Sequence, residues 1–193
     1  MAPFYPADAS IPAAWRTPRL FLRPLRATDV ELDYDAVMSS AAMLRSWSQS
    51  AWPADAFTRA ENLEDLRRHE REHVAREAFT FTVLDPTEAR CVGCVYLQPL
   101  PADAGALCDG AAHPVRIGFW VRASQIANDL DRHLLSCLRD WLAREWRFDC
   151  VLFVIAPDNT RQAALLEDAG LRLQSTLELP DGRRCAAYSE STS

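Results

Sequence analysis

Lysine is absent from this sequence of 193 residues, so all 21 basic residues are arginine. The 27 acidic residues outnumber them and give a formal net charge of −6. This charge disfavours a general nucleic-acid-binding function, because that function needs a basic surface. We interpret the exclusive use of arginine as the codon preference of a GC-rich genome and draw no functional prediction from it.

Long apolar runs and leader-like segments are also lacking. No run approaches the roughly 18 apolar residues of a membrane span, and the start of the chain (MAPFYPADAS) shows no basic stretch followed by an apolar one. The six cysteines are scattered and follow no secretory signal, which predicts reduced thiols in a reducing compartment. We therefore expect a cytoplasmic protein that binds neither membranes nor nucleic acid.

The length and the 49% hydrophobic content predict one globular domain with its own core. Residues 1–16, rich in proline and alanine, are interpreted as a loose lead-in, residues 17–189 as the domain and residues 190–193 as a tail. Along the domain the pattern predicts one strand, two helices, three strands, a helix, a strand, a helix and two strands. The predicted fold class is therefore α/β (α+β), with a mixed, mostly antiparallel sheet of about seven strands and about four helices.

The middle of the chain supports this order most clearly. Residues 79–85 and 90–100 are runs of β-formers joined by a short turn, which predicts an antiparallel hairpin. Residues 149–156 (DCVLFVIA) are almost wholly apolar, as in a strand buried on both faces. Together with the strand 116–121 and the amphipathic helix that ends near Trp146, they predict a strand–helix–strand crossover.

The stretch SQIANDLDRHLL, residues 124–135, joins that strand to that helix. Such junctions often bind phosphates on free backbone amides, and glycines allow the ligand to come close. This junction has no glycine, and Asp129 and Asp131 would each repel a phosphate charge at 4 Å by about 1 kcal/mol in water and by about 4 at an intermediate dielectric. The alternative interpretation, which we prefer, is that both carboxylates cap the helix. Arg122 and Arg132 could offset them and still hold a phosphate.

Three stretches in this order carry a resemblance to a known family. TPRLFLRPLRATD resembles an opening strand and turn, RIGFWV resembles a central strand, and IAPDNTRQAALLEDAGLRL resembles a closing strand, asparagine and helix. The family is the GNAT superfamily of acyl-CoA-dependent N-acetyltransferases, and the branch is the one that acetylates the N-termini of ribosomal and other proteins. The resemblance covers about residues 17–189. It implies a splayed central sheet, acetyl-CoA or another acyl-CoA as co-substrate, and an amine of a protein N-terminus or small molecule as acceptor.

The resemblance also implies which residues hold the co-substrate. The pantetheine arm would lie on the strand amides of Trp120 and Val121, and the pyrophosphate on residues 127–131. Spacing places Asp129 and Asp131 at the two family glycines and Ile126 at the preceding glutamine or arginine. The complete set of implied cofactor-binding residues is Phe119, Trp120, Val121, Ala127, Asn128, Asp129, Leu130, Asp131, Arg132 and Asn159. The asparagine matches the family residue, although a plain helix cap is an equally good interpretation.

Other positions depart from the family pattern. Leu166 stands where many members have a tyrosine as general acid, and Arg116 stands where this branch often has an acid. The pattern therefore assigns no catalytic base, and the catalytic candidates are Tyr96 and Glu77. Tyr188 and His133 are further protic groups that could reach a substrate cleft, but a structural or surface role is the simpler interpretation for all four. The alternative hypothesis is a degenerate, non-catalytic binding or regulatory module, possible as a homodimer, with weak or no CoA binding.

Two short motifs are interpreted as structural. HEREH would place His69 and His73 on one helical face with Glu70 between them, as in zinc proteases, yet no third ligand follows at a familiar spacing. CVGC brings Cys91 and Cys94 close in sequence, but strand alternation would send them to opposite faces. We therefore expect no metal, a solvated helix face for the first motif and core filling for the second.

Overall fold

The computed structural model describes residues 4–101, 104 and 107–190. Its strands are β1 (Trp15–Arg16), β2 (Phe21–Pro24), β3 (Phe79–Leu84), β4 (Cys91–Pro99), β5 (Pro114–Val121), β6 (Cys150–Ile155), β7 (Arg172–Glu178) and β8 (Arg184–Ser189). Its helices are α1 (Val30–Met38), α2 (Ala41–Ser48), α3 (Arg59–Ala75), α4 (Leu130–Glu145) and α5 (Thr160–Asp168), with short 3-10 segments at Ala27–Asp29 and Ala123–Asn128. The strands form one mixed sheet in the order β1-β2-β3-β4-β5-β6-β8-β7.

The predicted fold class is confirmed, with two additional elements. The sheet is mostly antiparallel, the hairpin β3–β4 lies where the sequence predicted it, and the two predicted closing strands pair as the antiparallel strands β7 and β8. The additional elements are β1, which has two residues, and α2, which has eight. Both are too short for a periodic pattern to stand out. No helix in the described part of the chain is both long and apolar enough to cross a membrane.

The crossover places β6 parallel to β5, and this pair is short. Pairing runs from Pro114 opposite Cys150 to Ile117 opposite Phe153, where it ends. Beyond that point β5 continues beside β4 as far as Val121, whereas β6 continues beside β8. The two central strands therefore separate, and we call the space beyond Ile117 and Phe153 the opening.

The main core lies between the sheet and helices α4 and α5, where Leu138, Trp141 and Leu166 are wholly buried. The segment before β1 contributes to the same core. Tyr5 is 1% exposed and packs edge-on against Trp146 at 5.2 Å between ring centroids. From residue 4 onwards the expectation of a loose lead-in is therefore wrong, because its aromatic residues cover the end of the sheet.

Helices α1, α2 and α3 cover the other face of the sheet over a second cluster that includes Leu44, Phe57 and Trp120. A third cluster lies beneath the loop that precedes β5, where Cys108 forms a disulfide with Cys150 across a Cα–Cα distance of 5.8 Å. The expectation of six reduced thiols is wrong for this pair. The spacing of 42 residues between the two cysteines carried no signal that the fold would bring them together.

Candidate functional site

A cavity of about 760 Å³ lies at the opening, between the sheet and helices α1–α3. Gly118, Val154 and Ile155, all beyond the last β5–β6 pair, form part of its wall. Polar and aromatic side chains complete it; those used below are Asp33, Trp47, Asn62, Arg68, His69, Tyr96, Arg116, Asp181 and Arg183. The structure thus brings together residues that lie up to 150 positions apart in the sequence.

The backbone of β5 directs only some of its amides towards the opening. The Arg122 N–H donates to the Val92 carbonyl of β4 at 2.7 Å. Because backbone groups alternate along a strand, Trp120 also faces β4, whereas Phe119 and Val121 face the β6 side. Of the two amides predicted to hold pantetheine, the structure therefore directs that of Val121 into the opening and that of Trp120 into the sheet.

The Phe119 carbonyl would be the next to pair with β6, but two side chains reach it instead. The Trp47 indole N–H and the Gln162 side-chain amide each donate to it at 2.9 Å. Gln162 lies in the first turn of α5 and is 8% exposed. These two side chains take the part that the neighbouring strand plays elsewhere in the sheet. Nothing in the local sequence marked Gln162 for this contact.

The α4 entrance, residues 126–131, follows the capping prediction only in part. Asp129 occupies the N-cap position with φ 51° and ψ 35°, and its side chain makes no cap hydrogen bond. This left-handed backbone favours glycine and is tolerated by aspartate, so it fits the family glycine that spacing placed there. Capping by Asp129 is therefore wrong, since its carboxylate accepts no hydrogen bond from the helix amides.

Asp131 has a second partner besides the helix amide that the capping prediction gave it. Its side chain is 7% exposed and accepts from Arg161 at 2.7 Å (Nε to Oδ2) and 3.1 Å (a terminal nitrogen to Oδ1). The Arg132 backbone N–H also donates to it at 3.0 Å. The carboxylate is therefore turned towards α5, and the bidentate ion pair is its main interaction.

Arg161 holds the α4 entrance together. It donates to the Ile126 carbonyl at 3.2 Å and lies 3.6 Å from the Asp129 carboxylate. One guanidinium therefore stands between the two aspartates that were expected to repel an anion. The side chain lies in the first turn of α5, 30 residues beyond Asp131, and only the crossover brings the two together.

The two arginines expected to offset these aspartates point elsewhere. Arg122 is 5% exposed and pairs with Asp35 at 2.8 Å, while Arg132 pairs with Asp168 at 2.9 Å. Both arginines therefore pair with carboxylates outside the α4 entrance. The negative charges of Asp129 and Asp131 are offset by Arg161, which the sequence did not single out.

The remaining predicted cofactor residues surround the same junction. Asn159 caps α5, because its Oδ1 accepts from the Gln162 N–H at 3.1 Å and its Nδ2 donates to the Gln162 side chain at 2.9 Å. The Asn128 carbonyl accepts from Arg19 at 2.7 Å, Leu130 is buried in the core, and Ala127 is exposed. Contacts from α5 to β5 and to the α4 entrance thus bring the predicted set together, with its polar groups already paired.

Asp33 is the most perturbed carboxylate that lines the cavity. It lies on α1, is 5% exposed and accepts from the Asn62 side-chain amide at 3.0 Å. Burial raises the pKa of Asp33 from its ordinary 3.8 to about 6, with smaller contributions from Asp29 and Asp65. In the sequence it is one of several acids in a helix's first turn. Only its burial by α3, which the structure shows, distinguishes it from the others.

Of the two weak catalytic candidates, only one lines the cavity. Tyr96 lies on β4, and its hydroxyl accepts from the Trp120 indole N–H at 3.2 Å. Burial raises the pKa of Tyr96 well above its ordinary value, so the hydroxyl stays protonated. Glu77 is exposed in the turn after α3 and lies outside the described wall of the cavity.

The other protic candidates lie away from the cavity wall described above. Tyr188 is 4% exposed in the core beneath α4 and α5. His133 contacts Thr17 at 3.1 Å, and Leu166 is wholly buried. None of these residues belongs to the described cavity wall, which favours the structural interpretation.

The HEREH motif turns its histidines towards the sheet. His69 Nδ1 lies 3.1 Å from the Glu72 carboxylate and 3.2 Å from the Thr80 hydroxyl, and burial lowers the pKa of His69. His73 packs edge-on against Phe79 at 5.2 Å. Neither is a solvated face residue as predicted, since both lie in the interface between α3 and β3. Within the described ranges no group of three or more metal-binding side chains occurs.

The CVGC motif also differs from its prediction in one respect. A β-bulge, at which the register shifts between Val83 and Leu84, places Cys91 and Cys94 in the same core cluster rather than on opposite faces. Both are free thiols, and burial raises the pKa of Cys91 to about 12. They fill the core under α1, as the preferred interpretation predicted.

Comparison with known proteins decides the family. The model of the acetyltransferase (GNAT) domain matches residues 19–172, which is most of the chain. The chain belongs to the GNAT family. The resemblance carried by the opening strand, the central strand and the closing helix is thereby confirmed. No curated protein matches this GNAT chain in sequence.

Solved structures match the GNAT fold at low sequence identity. RimL, a ribosomal L7/L12 alpha-N-protein acetyltransferase in complex with coenzyme A, superposes with a TM-score of 0.68 at 16% identity, covering 89% of this chain and 93% of its own. A ribosomal-protein-S5-alanine acetyltransferase from Vibrio fischeri gives 0.70 at 15% identity and covers 92% and 95%. The Microcin C7 self-immunity acetyltransferase MccE, in complex with acetyl-CoA and AMP, gives 0.69 at 13% identity and covers 89% and 92%.

Proposed function

We propose that this protein transfers an acetyl or other short acyl group from acyl-CoA to an amine. The observation that supports this most directly is the opening, where β5 and β6 separate after Ile117 and Phe153 beside a cavity of about 760 Å³. An extended ligand can pair with a strand edge exposed in this way. The GNAT family match and the fold shared with acetyltransferases point to the same reaction class.

The residues at the opening fit the acyl-CoA co-substrate in part. The amide of Val121 faces the opening, and the first-turn amides of α4 lie at the positive end of the helix dipole. Arg161 adds a positive charge there and lowers the repulsion expected from Asp131, which it binds at 2.7 Å. Acyl-CoA would supply the thioester, and the chain itself holds it and handles the protons. The Phe119 carbonyl fits less well, because it already accepts two hydrogen bonds.

The acceptor amine must lose a proton as its nitrogen attacks the thioester carbonyl. Asp33 is suited to take this proton, because its pKa of about 6 leaves it ionised at neutral pH yet basic enough to act. Tyr96 keeps its proton and accepts a hydrogen bond from Trp120, so its hydroxyl can donate to the departing thiolate. The resulting roles are base for Asp33 and acid for Tyr96. Two structural neighbours act on ribosomal proteins, which makes a protein N-terminus the favoured acceptor and the cytoplasm the expected compartment.

Calorimetry with acetyl-CoA, followed by a transfer assay, tests this function. We expect saturable binding of acetyl-CoA and the appearance of an acetylated product, detected by mass spectrometry, with peptides that have a free N-terminus. Matched peptides with a blocked N-terminus should remain unchanged. The absence of both heat and product at millimolar acetyl-CoA would contradict the proposal.

A second function, a non-catalytic binding module, is supported by the saturated α4 entrance. Arg161 already donates to Asp131, and Gln162 already donates to the Phe119 carbonyl. The co-substrate must therefore compete with these hydrogen bonds within the protein. If this second function is correct, the wild-type protein should not bind acetyl-CoA, and replacing Asp129 and Asp131 by glycine should create binding. Tight binding by the wild type would exclude it.

A further inference from the structure

Arg116 is a cation in the wall of the cavity that lacks an acidic partner. It lies on β5, is half-buried, and donates through Nε to the Pro99 carbonyl at 3.0 Å. Among the described residues no carboxylate lies within ion-pair distance of its guanidinium. Several of the five N–H donors of a guanidinium are therefore left to other partners.

The other two arginines of the cavity wall are paired. Arg68 binds Glu72 at 3.0 Å on its own helix. Arg183 binds Asp181 at 2.7 Å and donates to the Ser48 carbonyl at 2.8 Å. Asp181 is the wall carboxylate whose charge attracts Arg116, but it is already held by Arg183. The cavity thus contains one guanidinium whose charge the protein does not neutralise by contact.

The partial burial of the Arg116 charge costs free energy. Burial lowers the pKa of Arg116, and the neighbouring charge of Arg183 lowers it further. A desolvated guanidinium is stabilised by an anion, and its planar fork suits the two oxygens of a carboxylate. An anionic group of a ligand would therefore remove a penalty that the free protein carries.

The position of Arg116 relates it to the reacting centre. Arg116 and Gly118 are two residues apart on β5, so both face the cavity and their Cα atoms are separated by roughly 7 Å. Gly118 lies at the opening, and a Cβ atom at this position would lie 3.6 Å from the Trp47 ring. An amine that reacts at the opening would thus have Arg116 about two extended residues away.

We propose that Arg116 binds a carboxylate of the acceptor, and that the acceptor is a peptide N-terminus with an aspartate or glutamate at its second or third residue. The inference rests on the proposed acyl transfer for the role of the amine, and on the unpaired guanidinium for the role of the acid. Arg116 would then determine specificity, whereas Asp33 acts on the amine itself.

Two peptides that differ only by aspartate or asparagine at the second and third residues test this inference. Binding is followed by quenching of tryptophan fluorescence, since Trp47 and Trp52 line the cavity, and transfer of acetyl from acetyl-CoA is followed by mass spectrometry. For the wild type we expect the Kd of the acidic peptide to be lower by about tenfold or more, as for a charge-assisted bidentate contact. The ratio should fall to about one in Arg116→Gln and take an intermediate value in Arg116→Lys, which keeps the charge but loses the fork. Arg68→Gln, which removes a paired arginine of the same wall, should keep the wild-type ratio.

The outcomes separate this inference from the proposed function. Equal Kd values for both peptides in the wild type would overturn the carboxylate site, whether or not acetyl is transferred. Acetylation of both peptides at equal rates would keep the acyl transfer and reject the acid preference. Acid-dependent binding that needs Arg116 but leads to no product would keep the site and reject the transferase. If Arg116→Gln instead altered the preference between succinyl-CoA and acetyl-CoA, the carboxylate would belong to the donor and the inference would be wrong. Should Arg116→Gln fail to fold by circular dichroism, Arg116→Lys carries the same comparison.

Discussion

The α4 entrance and the cavity lie on two sides of one opening and treat their polar groups in opposite ways. At the α4 entrance, Asp131 is bound by Arg161, and Gln162 donates to the Phe119 carbonyl. In the cavity, Asp33 has a neutral amide beside it and Arg116 a backbone carbonyl. At the α4 entrance the protein itself pairs the polar groups. In the cavity, the charges of Asp33 and Arg116 have no counter-ion from the protein and are left for a ligand.

This difference separates stability from function within one site. A paired charge contributes to the folded state or costs little, whereas a desolvated charge without a counter-ion destabilises it. Such groups persist mainly where a ligand uses them. The comparison therefore predicts that substitutions in the cavity reduce activity more than stability, and that substitutions at the α4 entrance do the reverse.

The largest effect should come from Asp33→Asn. If Asp33 removes the amine proton, its loss should lower kcat by about 10²- to 10⁴-fold. The kcat/KM of the wild type should rise with pH through about 6, where this carboxyl ionises, and the variant should lose that limb. Steady-state transfer rates from pH 5 to 8 measure both. Glu31→Gln, an exposed acid on the same helix paired with Arg59, is the matched control, and an equal loss in both variants would contradict the assignment.

The same substitution should stabilise the protein at high pH. Because the pKa of Asp33 in the folded state, about 6, lies above the ordinary 3.8, its ionisation favours unfolding. The stability it contributes is fully present below pH 3.8 and is lost as the pH rises through about 6. Asp33→Asn should therefore raise the free energy of unfolding by up to about 3 kcal/mol at pH 8 and by almost nothing at pH 3.5. Urea titrations at both pH values measure this, and a destabilised variant at pH 8 would refute it.

At the α4 entrance, Arg161→Ala should destabilise the fold by about 2 kcal/mol, because Asp131 is left buried without its main partner. The exposed pair of Arg132 and Asp168 provides the control. There Arg132→Ala should cost less than about 0.5 kcal/mol, since water replaces the partner. Denaturant unfolding of the two variants gives the comparison, and similar losses would show that the Asp131 pair is no stronger than a surface pair.

The smallest effect is expected for Gln162→Ala. The Phe119 carbonyl keeps its bond from Trp47, so the loss of stability should be about 1 kcal/mol. Acetyl-CoA should bind about fivefold more tightly, because it no longer displaces that hydrogen bond. Calorimetry tests this against Gln174→Ala, an exposed glutamine on β7. An unchanged Kd would mean that Gln162 does not lie in the path of the co-substrate.

The features that the sequence predicted well are local. The β3–β4 hairpin, the apolar β6 and the amphipathic α4 each follow from a period or a turn within one short, continuous segment of the chain. The cap by Asn159 is local as well, because it joins residues three apart. The Phe119–Val121 strand and the α4 entrance were located through the resemblance, and the structure places both at the opening.

The features that were missed depend on contacts between distant segments. Arg161 reaches Asp131 across 30 residues and Gln162 reaches Phe119 across 43. The same holds for the cavity, because Asp33 becomes a perturbed acid only when α3, 29 residues later, buries it under Asn62.

By itself, then, the sequence determined the order of all but two of the strands and helices and the family to which they belong, since periodicity and turn residues act over short distances. Tertiary structure alone decided which charges are neutralised: Arg161 beside Asp131 is, and Arg116 and Asp33 are not. The physical reason is that the energy of a charge depends on its burial and its partner, and both are properties of the folded chain.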